Sequence, residues 1–311
     1  MKTIFKKPIH SYGSIQKIFR NYQLYLFLLP TLAYFIIFKY IPMYGVQIAF
    51  KDYISIKGFW GSPWIGFANF ERFFNSVEFW NTLKNTLGLS VLQLTAGFPM
   101  PVILALMLNQ VSKKRFRKIA QTAVYAPHFI STVVMAGMVY VFLAPKTGII
   151  NLIINALGGD PIFFMGKPEW FKPIYVLSSI WQHTGWEAII FIAALTSIPQ
   201  ELYESAKVDG ASKLQRILYI DIPGIMPTAI VLLILNVGNV MSIGFEKAFL
   251  MQNDLNRVSS EIIATYVYKA GLQNAQYSFS SAVGLFNSLI NLILLFTANR
   301  IAKKVSDISL W

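Results

Sequence analysis

Six long apolar runs constrain the fold of this chain more than any other feature of its sequence. They lie near Leu24 to Tyr44, Leu83 to Leu108, Thr122 to Leu143, Pro173 to Ser197, Met226 to Ile243 and Ser281 to Ile301. A helix needs about 20 mainly apolar residues to cross the hydrocarbon core of a membrane. Of the 311 residues, 55% are hydrophobic and only 13% are charged, which excludes an ordinary soluble domain. The sequence therefore predicts an all-α membrane protein with six transmembrane helices.

The distribution of positive charge predicts the orientation of these helices. If both termini are inside, 16 lysines and arginines fall in inner segments and nine in outer segments. The inner ones are Lys2, Lys6, Lys7, Lys17, Arg20, Lys113, Lys114, Arg115, Arg117, Lys118, Lys207, Lys213, Arg216, Arg300, Lys303 and Lys304, and the outer ones are Lys51, Lys57, Arg72, Lys146, Lys167, Lys172, Lys247, Arg257 and Lys269. Cytoplasmic loops carry the excess of Lys and Arg, so we expect both termini in the cytoplasm. The basic runs flank apolar runs instead of forming a basic domain, so no nucleic-acid partner is expected.

A polar stretch between the fourth and fifth runs predicts two short helices joined at a glycine. We expect one helix from Glu201 to Val208 and a left-handed residue at Gly210, where a side chain is disfavoured. Ser212 is placed to cap a second helix, which Pro223 should end. We call residues 198–227 the elbow.

The elbow resembles the EAA loop of permease subunits of binding-protein-dependent ABC importers. In that family a Glu-Ala-Ala core, an Asp-Gly-Ala and a later Ile-x-x-Pro form the coupling helix, which docks in a cleft of the ATPase subunit. The matching positions here are Glu204, Ser205, Ala206, Asp209, Gly210, Ala211, Ile220 and Pro223. Ser205 departs from the usual alanine, which exchanges one small residue for another. The resemblance implies that these residues couple the chain to an ATPase.

The resemblance extends over nearly the whole chain, from about Leu24 to Trp311. It includes the stretches 48–53, 66–70, 126–131, 244–249, 282–288 and 309–311. Together they are similar to bacterial permeases that import oligosaccharides cut from polysaccharides, including uronic-acid-containing ones. The resemblance implies a type I importer bundle in the bacterial cytoplasmic membrane, with a cytoplasmic segment 1–23, a permease domain 24–303 and a cytoplasmic tail 304–311. It also implies four kinds of partner: a second, non-identical permease, two ATPase subunits that hold ATP and Mg, an extracytoplasmic binding protein and the oligosaccharide.

Polar and aromatic residues within the runs are candidates for a substrate pathway, because such side chains are costly on a lipid-facing surface. They are Trp181, Gln182, His183, Trp186, Glu187, Asn236, Asn239, Asn287 and Asn291. Aromatic faces stack on sugar rings while amides bond to hydroxyl groups. Packing between helices uses the same residue types, so that interpretation stays open. For His128, which follows Pro127, we expect a helix start and no role in binding.

The outer segments 45–79, 145–172 and 244–280 are rich in aromatic residues and glycine. We expect a compact rim, which serves either as the docking surface of a sugar-loaded receptor or as a contact with lipid headgroups. Its first segment, with Lys51, Asp52, Tyr53 and the pair Phe59 and Trp60, is the favoured receptor contact. At the N-terminus, Ile15 to Arg20 is expected to lie on the inner membrane surface as an amphipathic helix.

Two other classes of protein need to be compared with a permease subunit. An ion-coupled secondary transporter should show repeated halves and paired intramembrane acids, whereas Glu187 is the one acid well inside a run. An intramembrane enzyme needs a nucleophile with a base or a metal cluster, but the chain has no cysteine and only three histidines. It also lacks a Gly-rich phosphate loop, so ATP hydrolysis is expected in partner subunits and no cofactor or metal is expected in this chain.

Overall fold

Helices form most of the chain in the computed structural model, which describes residues 22–306 and 308–310. The helices are α1 (Tyr22–Phe50), α2 (Gly58–Gly61), α3 (Ala68–Phe74), α4 (Val77–Asn109), α5 (Lys114–Tyr125), α6 (Thr132–Phe142), α7 (Ile149–Ala156), α8 (Pro168–Thr196), α9 (Gln200–Val208), α10 (Lys213–Gly238), α11 (Phe245–Met251), α12 (Arg257–Ser260), α13 (Ile263–Tyr268) and α14 (Tyr277–Ser306). Short 3₁₀ turns lie at Ala126–Phe129, Phe164–Gly166 and Val240–Ser242. Within the described ranges, β-structure is limited to one bridge between Lys51 and Trp64. The predicted all-α class is confirmed, whereas the amphipathic helix expected at Ile15 to Arg20 lies outside the described residues.

Four of the described helices, α1, α4, α10 and α14, are long and apolar enough to cross a membrane. A fifth crossing arises if α5 and α6 are counted as one broken span. Helix α8 has 29 residues, ample length for a crossing, but its middle carries Gln182, His183 and Glu187 and is less apolar. The last helix continues to Ser306, past residue 303, where the tail was expected to begin.

The third apolar run, expected as one span from Thr122 to Leu143, is broken into two helical segments. The helical segments Lys114–Phe129 and Thr132–Phe142 meet at an angle of 98°. The break has a local cause, because Ile130 and Ser131 are extended and the Ser131 hydroxyl accepts a hydrogen bond from Val134 N at 3.4 Å. A serine cap of this kind starts a new helix.

Pro223 was expected to end the second helix of the elbow, but the helix that begins at Lys213 continues past it. A π-helical turn at Ile217–Asp221 precedes it, and Ile222 N donates to Ile217 O, five residues back. Such a wide turn shifts the hydrogen-bond pattern. Pro223 then falls in the first turn of a new α-helical segment, where its missing N–H costs little. The helix therefore runs without a break from Lys213 to Gly238.

Helix α8 is central to the packing of the bundle. Its residues Phe191 and Leu195 form one buried cluster with Ala105 of α4 and Ile225 of α10. Its outer half joins α4, α6 and α11 in a second cluster around Phe171. By contrast, no residue in the apolar stretch of α1 is buried within this chain.

One helix crossing depends on a glycine in α8. A Cβ atom at Gly185 would lie 1.9 Å from Val124 O, so the backbones of α5 and α8 touch directly. Small residues permit this close approach of helices in membranes. Any larger side chain at position 185 must push the two helices apart.

The second and third outer segments interlock through polar contacts. Asn256 Nδ2 donates to Met165 O at 3.0 Å, and Ser259 Oγ donates to Pro168 O at 2.6 Å. The buried carboxylate of Glu261 pairs with Arg257 at 2.7 Å and with Lys269 at 3.0 Å. These contacts form the compact rim that the sequence predicts.

The first outer segment contributes exposed aromatic rings to the rim. Trp60 is 85% exposed and Trp64 is 64% exposed. Lys51 is buried instead, since its ammonium donates to Phe59 O and lies 4.8 Å from the Trp64 ring centre. Of the residues named from the sequence, Trp60 is therefore available to a receptor or to lipid, whereas the Lys51 ammonium is not.

Candidate functional site

Two adjoining cavities lie among helices α4, α8 and α10 and the start of α11. The first has a volume of about 170 Å³ and the second about 290 Å³, and they share Gln93 and Ile243 as lining residues. Gly97 makes room for the Gln93 side chain, because a Cβ at that position would lie 2.6 Å from Gln93 Nε2. Because they share Gln93 and Ile243, the cavities form one depression, which we call the polar depression for the polar side chains in its lining.

Five of the nine residues predicted for a substrate pathway line this depression. Glu187, Asn236 and Asn239 line the first cavity, and Gln182 and His183 line the second. Gln182 is also held in place, since its Nε2 donates to Ile130 O at 2.8 Å, at the break between α5 and α6. The amide of Asn239 donates to Leu235 O in its own helix at 2.9 Å. The structure thus brings polar residues of α8 and α10 to one place.

Trp186 lies beside the depression in a group of aromatic rings. Its indole stacks on the His128 imidazole with ring centres 4.5 Å apart and planes 2° from parallel. His128 Nδ1 is 3.4 Å from His183 Nδ1, which lines the second cavity. Trp186 is still 45% exposed, so one part of the ring remains open for contact. His128 lies in a 3₁₀ turn, and its contacts are with these rings.

The other predicted pathway residues lie elsewhere. Trp181 lines an apolar groove between α6 and α8 together with Met135 and Phe142. Asn291 accepts a hydrogen bond from Met241 N at 2.9 Å and donates to Ser242 Oγ at 2.7 Å, which is the geometry of helix packing. Asn287 Oδ1 is buried and lacks a partner among the described residues.

Lys247 is a cavity residue that sequence reasoning missed, because it was counted among the outer cations. It lies in α11 just after the fifth apolar run, is 5% exposed, and lines the second cavity. Its Nζ donates to Ser179 Oγ at 2.7 Å and to Tyr175 O at 3.1 Å. Burial lowers the pKa of Lys247 to about 7. In the sequence, the one indication that Lys247 is buried is its position directly after an apolar run.

The turn at Gly210 and the cap at Ser212 in the elbow have the predicted geometry. Helix α9 ends in a Schellman motif, in which Ala211 N donates to Ala206 O at 2.8 Å and Gly210 N donates to Lys207 O at 3.2 Å. Gly210 has φ +77°, as expected for the left-handed residue of this motif. Ser212 then caps α10, because Gln215 N donates to its hydroxyl at 3.3 Å and Gln215 Oε1 accepts from Ser212 N at 2.8 Å.

The residues predicted to couple to an ATPase form a largely exposed surface. Glu204, Ser205, Asp209, Gly210 and Pro223 are exposed, and Ala206 and Ala211 are half-buried. No atom of the described chain comes within 4 Å of a Cβ placed at Gly210. The surface is therefore open to a partner, and what limits residue 210 within this chain is its backbone conformation.

A buried carboxylate that was absent from the sequence-based site anchors the elbow to the bundle. Asp221, 0% exposed, accepts hydrogen bonds from the Tyr203 hydroxyl of α9 and from Gln110 Nε2 at 3.0 Å. Asn109 Nδ2 approaches it at 3.4 Å. Burial and the Asp221 carboxylate raise the pKa of Tyr203 to about 12. Both arms of the elbow and the end of α4 thus meet at Asp221.

These features define a multispanning helical membrane protein with a polar depression among its helices and an exposed elbow. The chain belongs to the family of binding-protein-dependent transport system inner membrane components, whose family model matches residues 97–307. Membership confirms the resemblance found in the sequence. It excludes the ion-coupled transporter and the intramembrane enzyme, because the family is a transport component of ABC importers.

Relatives across the family are similar over nearly their full length. The chain is 48% identical over 285 residues to protein LplB of Bacillus subtilis, covering 92% of this chain and 90% of the relative. It is 45% identical to the polygalacturonan/rhamnogalacturonan transport system permease protein YteP of the same organism, covering 98% and 94%. Among solved structures, a bacterial ABC transporter involved in the import of the acidic polysaccharide alginate has a chain with 44% identity and a TM-score of 0.87, covering 94% of this chain and 98% of that one.

Proposed function

We propose that this chain is one permease subunit of an ABC importer that carries acidic, uronate-containing oligosaccharides into the cell. The observation that carries the proposal is its full-length similarity to YteP and to the alginate importer, whose names specify acidic polysaccharides. The alginate transporter is also known in a complex with a periplasmic protein that holds an alginate pentasaccharide. A depression whose lining includes amides, a histidine and a lysine, beside Glu187 and Glu246, supports passage of a hydroxyl-rich ligand.

The test is uptake by a reconstituted complex. Vesicles should hold this chain with its partner permease and ATPases, and a binding protein should supply oligogalacturonate or oligoalginate from outside. Uptake that requires ATP inside and continues without a proton or sodium gradient supports the proposal. Uptake driven by an ion gradient in the absence of ATP, or no uptake of either acidic oligosaccharide, contradicts it.

The proposed topology has six crossings, with α8 and the broken pair α5 and α6 added to the four most apolar helices. The excess of positive charge supports a cytoplasmic position of both termini and of the elbow. A cysteine introduced at Ser112 should then react with a membrane-impermeant thiol reagent only from the cytoplasmic side, and one at Asn155 only from the outside. Labelling of both from one side contradicts the topology.

A second, non-identical permease is proposed to face the polar depression. Trp186, Glu187, Asn236 and Asn239 are all exposed in the single chain. Polar groups such as Glu187 are expensive against lipid, so they need a protein or water-filled surface opposite them. A pore between two permeases provides both. Cross-linking of a cysteine at Asn239 to this chain itself, instead of to an unlike partner, contradicts the heterodimer.

Coupling to the ATPases is proposed to occur through the elbow. ATP-driven closure of the ATPases brings the two elbows together and rocks the bundle between outward-open and inward-open states. Glu204, an exposed charge beside small Ala206, is suited to pair with a cation or an amide of the ATPase. Gly210→Val and Glu204→Lys should leave the permease inserted, yet reduce ATPase attachment or the uptake obtained per ATP hydrolysed.

The outer surface supplies a matched control for the glycine. Gly158 has φ +84°, also with no neighbour within 4 Å of a Cβ, so Gly158→Val introduces the same backbone strain without touching the elbow. Glu169→Lys is the control for Glu204→Lys, because Glu169 is an exposed glutamate in an outer segment. Pull-down of the ATPase that is equal for elbow variants and controls refutes the coupling role.

A further inference from the structure

Lys247 is a buried amine without a neutralising carboxylate, and because burial lowers its pKa to about 7, an anion beside it would favour its charged form. Within residues 22–306 and 308–310, its ammonium forms no ion pair, although Lys269 and Arg257 in the same outer segment both pair with Glu261. Its described hydrogen-bond acceptors are a serine hydroxyl and a backbone carbonyl, both neutral. The Tyr175 ring, 4.9 Å from Nζ, adds a weaker electrostatic contact.

A cation in this position is expensive for the fold. Removing an ammonium from water costs free energy that neutral acceptors repay only in part, and unpaired buried charges are correspondingly rare. Methionine has a similar length and no charge, so a side chain that only filled this space would not need an ammonium. The cost is offset if an anion occupies the cavity for part of the transport cycle.

The ammonium also has capacity left for a ligand. It carries three N–H donors, and the described residues accept two of them. His183 and Gln182, which line the same cavity, provide groups that can bond to hydroxyls beside a carboxylate. Glu246 lines the cavity too, but it is exposed and forms no ion pair with Lys247, so it leaves the charge available.

We propose that Lys247, held by Ser179 and Tyr175, binds the carboxylate of a uronate residue as the oligosaccharide passes through the second cavity. The proposal rests on the proposed function and adds to it the side chain that distinguishes an acidic oligosaccharide from a neutral one. The contact is a charge-assisted hydrogen bond, the strongest kind available to a carboxylate at such a site. Neutral lining groups such as Gln182 and Asn239 bond to hydroxyls and do not distinguish a uronate from a neutral sugar.

The test compares three variants in the complete reconstituted importer supplied with binding protein and oligogalacturonate. Lys247→Met keeps the length of the side chain and removes the charge, and we expect uptake to fall at least tenfold. Lys247→Arg keeps the charge and should retain more uptake than the methionine variant. Lys146→Met removes an exposed outer cation and should leave uptake within twofold of the wild type. ATP hydrolysis stimulated by the loaded binding protein reports docking, and it should stay within twofold in all three.

Each outcome decides between the proposal and its alternatives. Uptake by Lys247→Met within twofold of the wild type overturns the inference, and so do equal losses in the methionine and arginine variants, which indicate packing. If Lys247→Met fails to assemble, Ser179→Ala decides, because it removes the hydroxyl 2.7 Å from Nζ. Reduced uptake in an assembled Ser179→Ala complex supports the proposal, and unchanged uptake refutes it. A wild-type complex that imports no acidic oligosaccharide refutes the proposed function itself, a result distinct from any difference among variants.

Discussion

Replacement of Tyr203 by phenylalanine removes one hydroxyl group from the anchor that holds the elbow. That hydroxyl donates to the buried carboxylate of Asp221, and Gln110 and Asn109 remain as the other donors. A hydrogen bond to a charged group contributes about 1.5–3 kcal/mol, and the half-buried position of Tyr203 places the loss near the lower end, at about 1.5–2 kcal/mol. This corresponds to an increase of about 10- to 30-fold in the population in which α9 is detached from the bundle.

Hydrogen exchange of the α9 backbone amides measures this population directly, since these amides exchange when the helix opens. Tyr203→Phe should increase their exchange rates by the same factor, about 10- to 30-fold. Tyr219→Phe is the control, because Tyr219 lies in the same elbow, is 77% exposed and donates to no described residue. If α9 exchanges equally fast in the two variants, Asp221 does not anchor the elbow.

Two further predictions concern the bundle and its polar depression. Gly185→Ala should cost about 1–3 kcal/mol of packing free energy and lower the yield of assembled complex, because the added Cβ overlaps Val124 O. Gly284→Ala, where no atom lies within 4 Å, is the control, and equal yields contradict the close crossing. If Trp186 stacks on the sugar, Trp186→Ala should lose about 0.5–1.5 kcal/mol of ring contact and slow uptake severalfold, with assembly unchanged. Trp181 lies in the apolar groove, so Trp181→Ala should not slow uptake. If Trp181→Ala slows uptake more than Trp186→Ala does, the sugar passes Trp181 and not Trp186.

Features that depend on neighbouring residues in the sequence were predictable. The all-α class followed from the apolar runs, and the elbow followed from capping and turn chemistry. The Schellman geometry at Gly210 and the cap at Ser212 are local hydrogen-bond patterns between residues at most five positions apart. Such patterns are specified by the residues themselves and need little help from the rest of the fold.

Two expectations that the structure changes concern how a helix continues. The helices before and after Ile130 differ in polarity, but hydropathy does not give the direction in which the helix that starts after Ser131 runs. At Pro223, a proline that ends an α-helix is accommodated because a π turn precedes it. The π turn ends at buried Asp221, and none of the sequence patterns described above indicates a turn of this kind.

The candidate site was predictable in part, for a geometric reason. Trp181 and Trp186 were grouped by their proximity in sequence, yet five residues rotate a helix by roughly 500°, which places them about 140° apart. Trp181 accordingly lines an apolar groove, whereas Trp186 stacks on His128 beside the polar depression. Lys247 and Asp221 gain their roles from residues 68 and 111 positions away, and no local pattern reports such contacts.

The close crossing of α5 and α8 at Gly185 is a point about which the two helices can rotate relative to each other. Side chains that interdigitate resist relative rotation of two helices, because each step forces them through unfavourable rotamers. At Gly185 and Val124 the surfaces in contact are backbone, so no side chain at that point has to change its rotamer when α5 rotates against α8. If the bundle changes between outward-open and inward-open states as proposed, we expect α5 and α8 to pivot at this contact. Spin labels flanking it should keep their separation through the ATP cycle, while labels on the elbow change theirs.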